Sequence, residues 1–111
     1  MATKTRAEMI DLVLKRLGIL GAGQSATAED AVEVGGVIDA MHAELRPFGL
    51  VPFAKSAFPE WAQEGFAKVV GETVAPAFGM SKQGWRKMGE RDLSRQMQAK
   101  RHRRAIEVDY F

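Results

Sequence analysis

Cysteine is absent from the sequence, and histidine occurs only at His42 and His102. The first absence excludes a disulfide scaffold and a thiolate metal centre, and it fits a reducing compartment. The second leaves each histidine without a neighbouring partner, so no metal site and no cofactor is expected. Long apolar runs are missing as well. No segment approaches the roughly eighteen consecutive apolar residues of a membrane span, and Glu8 and Asp11 interrupt the apolar residues near the N-terminus, which rules against a signal peptide. The expectation is a soluble protein with no membrane partner.

Catalytic patterns are equally scarce. Gly21-Ala-Gly-Gln-Ser25 lacks the Gly-Lys-Ser/Thr ending of a phosphate-binding loop, and no strand precedes it. No Gly-x-Ser-x-Gly motif occurs, and no histidine is placed to activate a serine. Glu60 and Glu64 stand at i, i+4, but like charges on an outer helix face are ordinarily solvated, and nothing apolar is placed to raise one pKa. A lytic activity therefore finds no acid/base pair. No catalytic residue is assigned, and the chain is not expected to be an enzyme.

What the sequence does contain is helical periodicity. Hydrophobic residues at 46% and charged residues at 27% match an ordinary globular domain and not a disordered chain. Thr5-Arg-Ala-Glu8 has capping-box spacing, and Ile10, Val13, Leu14 and Leu17 follow as one stripe, predicting a helix from Thr5 to Leu17. Thr27 caps a second helix with the stripe Ala31, Val34, Ile38, Met41 and Leu45, ended by Pro47. Gly35 and Gly36 inside it cost about 1 kcal/mol each against alanine, which predicts either another helix packed closely there, the favoured reading, or a bend in the helix. Pro59 opens a third helix with Phe66, Val69, Val70, Val74 and Ala77 on one face, and Pro76 bends or terminates it near Phe78-Gly79. A fourth helix is predicted from Ser81.

Between the second and third helices, residues 47–58 combine two prolines and a glycine with Phe48, Leu50, Val51, Phe53 and Phe58. So apolar a connection is expected either to be pinned on the core or to be covered by another subunit. Phe48, Leu50, Val51 and Phe53, with Trp85 of the fourth helix, are the candidates for a subunit interface.

Charge is strongly divided along the chain. Residues 1–81 hold 7 Lys/Arg against 10 Asp/Glu, residues 82–104 hold 9 against 2, and residues 105–111 carry only Glu107 and Asp109. The fourth helix thus loses its apolar stripe and ends in Gln98-Ala-Lys-Arg-His-Arg-Arg104, where Lys100, Arg101, Arg103 and Arg104 favour a polyanion or an acidic protein surface. Ile106-Glu-Val-Asp-Tyr-Phe111 then alternates with the period of a strand, and the chain offers no second strand to pair with it. The expected fold is all-α: a four-helix bundle-like domain with a long basic C-terminal helix and an extended C-terminal tail. It divides into a helical body, 1–97, and a basic helix end with tail, 98–111.

Taken in order, these elements resemble the head-to-tail adaptors of tailed bacteriophages, the family that includes the packaged-DNA stabilisation protein or tail accessory factor. The resemblance rests on Thr3-Lys-Thr-Arg-Ala-Glu-Met-Ile-Asp-Leu-Val-Leu-Lys-Arg-Leu-Gly18, on Asp30-Ala-Val-Glu33 and Ala40-Met-His-Ala-Glu-Leu45, and on Gly49-Leu-Val-Pro-Phe53. It rests also on Val70-Gly-Glu-Thr-Val-Ala-Pro-Ala-Phe-Gly79 before a long basic helix, where the run Val74-Ala-Pro-Ala-Phe-Gly79 is the most telling part. It implies head completion during viral assembly by a homo-oligomeric, typically dodecameric, ring beneath the portal protein in the virion. That ring extends the DNA channel and carries a tail or further connector protein, with DNA passing through without sequence-specific binding. On this reading Ile106, Val108, Tyr110 and Phe111 dock on a portal sheet edge. Lys100, Arg101, Arg103 and Arg104 contact either acidic portal residues or channel DNA. The alternative from another class is a small basic nucleic-acid-binding or regulatory protein working free in the cytoplasm.

Overall fold

The computed structural model describes residues 2–109, with side chains through residue 101. Four helices make up the all-α fold: α1 (Arg6–Arg16), α2 (Ala28–Leu45), α3 (Glu60–Val74) and α4 (Trp85–Asp109). Short 3-10 turns follow α2 at Arg46–Phe48 and α3 at Ala75–Phe78. Each of these turns holds a proline near its start and closes on a left-handed glycine, Gly49 or Gly79, where a side chain would be strained.

The capping residues act as their chemistry requires. Thr5 accepts from the Glu8 amide while the Glu8 carboxylate accepts from the Thr5 amide at 2.9 Å, a complete capping box. These bonds to the charged form hold the Glu8 carboxyl below its ordinary range, the backbone donor contributing most. Thr27 caps α2 by accepting from the Asp30 amide. α4 begins at Trp85 instead of Ser81, because Gly84 sits at φ 87° and the chain turns there before the helix starts. α3 stops at Val74, so Ala77 lies exposed in the 3-10 turn, and Ala75 is buried in its place.

The core is shared by all four helices. Met9, Val13 and Leu14 of α1, Val34 and Ile38 of α2, and Phe66, Val69 and Val70 of α3 are fully buried, and Leu93 of α4 joins them. Each such side chain stabilises the fold by about 1.5–3 kcal/mol relative to exposure. α1 and α2 pack on each other and on α3, whereas the α4 backbone packs on α3 and meets α2 through the Arg86–Glu44 ion pair.

The connection between α2 and α3 is pinned to this core. Phe58 pairs its backbone with Lys4 through Lys4 N–H to Phe58 C=O at 2.9 Å and Phe58 N–H to Lys4 C=O at 2.8 Å. Gln63 adds a clamp, its side-chain amide donating to the Ala2 and Phe58 carbonyls. Gly35 does not receive a helix, contrary to expectation. Its missing side chain makes room for Arg6, whose Nη2 would lie 2.6 Å from a Cβ there, while Gly36 faces open space. Arg6 is held over Gly35 by a two-bond pairing with Asp39, at 3.0 and 3.1 Å.

Candidate docking site at the end of the fourth helix

α4 approaches α3 over glycine. A Cβ on Gly89 would lie 2.3 Å from the Gly65 carbonyl oxygen and 3.1 Å from the Val69 amide nitrogen, so the two backbones touch. One end of this contact is closed by Trp85, whose ring would stand 2.9 Å from a Cβ on Gly71. The antiparallel run then carries α4 past Leu93 to Lys100, whose ammonium lies 5.3 Å from the centre of the Trp61 ring. Since α3 begins at Glu60, it offers no further turn beyond this level. A cleft of about 490 Å³ opens at this junction between Thr3, Trp61, Gln96, Ala99 and Lys100.

The basic residues divide at this point. Lys100 and Arg101 are exposed. Neither forms an ion pair with a described carboxylate, and the Arg101 guanidinium lies 3.6 Å from where a Cβ on Gly49 would stand. Both therefore lie against the end of the body, Lys100 over Trp61 and Arg101 beside Gly49. Arg103, Arg104, Ile106 and Val108 belong to the α4 backbone, and their side chains lie outside the described residues, as do Tyr110 and Phe111 altogether.

The alternation at 106–111 predicted extended chain, but the backbone stays helical to Asp109. The physical reason is that an unpaired strand leaves its amides and carbonyls without partners, while a continued helix satisfies them internally. α4 also passes residue 97 without interruption.

The interface candidates are scattered. Phe48 is 72% exposed and presents an apolar ring to solvent, and Leu50 is half-buried. Val51, only 2% exposed, is a core residue of the single chain, which corrects its assignment to a subunit interface: the connection folds under α2 and drives it inward. Phe53 is half-buried in an edge-to-face cluster with His42, Phe58 and Trp61. Trp85 is occupied with Gly71 and with the Lys82 ammonium, 5.2 Å from its ring centre.

The remaining polar candidates have structural partners. His42 is buried and its Nε2–H donates to the Phe53 carbonyl at 2.7 Å, which fixes that tautomer. Glu64 is not solvated alone. Arg16 reaches it from α1 with two bonds, one of 2.9 Å, and this hydrogen bonding holds the Glu64 carboxyl below the usual carboxylate range. Among the described residues no group of three or more histidines or carboxylates is placed to hold a metal, and no described helix is long and apolar enough to cross a membrane.

Sequence reasoning missed Trp61, Gly65, Gly71 and Gly89, the residues that set where α4 lies. The signal was present: interior helix glycines are costly, and Gly65 and Gly71 on one helix with Gly89 on the next are the residues that permit a close crossing. Comparison with protein-family models, curated proteins and solved structures finds no match to this chain.

Proposed function

We propose that this chain is a structural head-to-tail adaptor of a tailed phage, assembled as a ring under the portal, where it extends the DNA channel and offers a platform to the tail. The observation that carries the reading is the single uninterrupted α4, whose first half is fixed on α3 and whose basic end continues beyond the last turn α3 can offer. A body with such an arm suits a protein that must hold its neighbours on one side and reach a further component on the other. The resemblance of the Thr3–Gly18, Ala40–Leu45 and Val70–Gly79 segments to adaptor proteins supports the same role. The arm's Lys100 and Arg101, with Arg103 and Arg104 in the sequence, supply charge for acidic portal residues or for DNA phosphates in the channel.

Native mass measurement of the purified protein, alone and mixed with portal rings, tests the proposal. Assembly on the portal, lost when the chain is ended after Arg101, is the expected result. A monomer that ignores portals yet binds duplex DNA with an affinity falling steeply as salt rises would establish the free nucleic-acid-binding reading in its place.

A further inference from the structure

The two outer helices carry opposite charge on faces that no described residue covers. α2 holds Glu29, Asp30, Glu33, Asp39 and Glu44 and no lysine or arginine. Asp39 is bound by Arg6 and Lys55, and Glu44 by Arg86. Glu29 and Glu33 are exposed and have no ion pair to a described residue. Between them Val32 is 77% exposed, and exposed Gly36 continues the same face at i+7 from Glu29. On α4 the matching pattern has the opposite sign. Lys87 and Arg91 are exposed at i, i+4 with no described carboxylate partner, and Met88 beside them is 52% exposed.

These are two of the three large apolar side chains left exposed among the described residues, and each is framed by charges of one sign. The α2 and α4 backbones do not pack on each other, their link being the Arg86–Glu44 ion pair at the far end of α2 from Glu29, so the two faces are separate patches of one molecule. Two different, complementary patches are what a heterologous contact between identical chains requires, and repetition of such a contact closes into a ring when the rotation permits.

We propose that the α2 face of one copy, Glu29, Val32, Glu33 and Gly36, receives the α4 face of a second copy, Lys87, Met88 and Arg91. The carboxylates meet the cations, Val32 and Met88 leave water together, and the absence of a side chain at Gly36 lets the neighbouring helix approach. This inference deepens the ring reading by naming the surfaces that form the ring.

Charge exchange tests it in the full chain. One variant carries Glu29→Lys and Glu33→Lys, the other Lys87→Glu and Arg91→Glu; circular dichroism establishes that both are folded. In sedimentation velocity at low ionic strength the unaltered protein associates with rising concentration and dissociates with added salt. Each variant alone associates at least about tenfold more weakly, because like charges now face each other. An equimolar mixture of the two recovers association, since each supplies the sign the other needs. The proposal is overturned if the unaltered protein stays monomeric throughout, if either variant associates as the unaltered protein does, or if the mixture fails to recover. Portal binding is read separately: variants that still associate and still bind portals sink this interface and leave the adaptor role standing. Recovery in the mixture without portal binding has the reverse meaning.

Discussion

Gly89 of α4 and the carbonyl of Gly65 on α3 occupy adjoining space with no room for a methyl group between them. The neighbour is backbone, which cannot swing aside as a side chain can.

Gly89→Ala is accordingly expected to destabilise the fold by about 2–3 kcal/mol, the cost of overpacking outweighing the roughly 1 kcal/mol that alanine gains in a helix. Gly36→Ala is the control. It lies on exposed helix with nothing near its Cβ position, and it is expected to stabilise by up to about 1 kcal/mol. Urea denaturation of both variants checks the pair, and a Gly89→Ala protein as stable as the parent would show that the helices are not in contact there.

That contrast also shows what the sequence revealed and what it concealed. The capping threonines and the α1 and α2 stripes were legible because they depend on neighbours in the chain. Val51 was not, because its burial follows from how the 49–58 connection folds beneath α2, a long-range outcome that local composition leaves open. The direction of α4 was concealed for a related reason. Its stripe is thin, and contact is made by glycines, which no hydrophobic pattern registers. The alternation at 106–111 misled because period 2 favours a strand only where a strand has a partner.

Acid weakens the protein in a predictable direction. Hydrogen bonds from Arg16 and Arg6 favour the charged forms of Glu64 and Asp39, so both have folded-state pKa values below their ordinary ones. The stability they contribute is present above the ordinary carboxylate range near about 4 and is lost as pH falls through the lowered values. Glu64→Gln and Asp39→Asn should flatten the fall in unfolding free energy below about pH 5. At pH 7 each costs no more than about 1 kcal/mol, because both pairs are roughly half-exposed. Denaturant titrations across pH check both slopes.

His42→Phe keeps a ring in the cluster with Phe53 and Phe58 but removes the donor to the Phe53 carbonyl. A loss of about 1–3 kcal/mol is expected from the unsatisfied acceptor. Limited proteolysis should locate the effect, with cleavage increasing within 49–57 and not within the helices. Uniform protection would mean that the histidine does not hold the connection.

Ending the chain after Arg101 removes no described core residue, since the last buried apolar side chain among the described residues is Leu93. The midpoint of thermal unfolding is expected to move by less than about 4 °C, the shift that 1 kcal/mol gives in a domain of this size. A large drop would show that the helix end belongs to the body.

The Lys4–Phe58 backbone pair has a kinetic consequence. It closes a loop containing α1, α2 and the whole connection, and the entropy lost in closing a loop grows with its length. Such a pair gains little until the enclosed helices have condensed, so it is expected to form late in folding. A helical chain thereby acquires one slow, non-local step of the kind that governs sheet proteins, and the exchange rate of the Phe58 amide serves as a clock for completion of the fold.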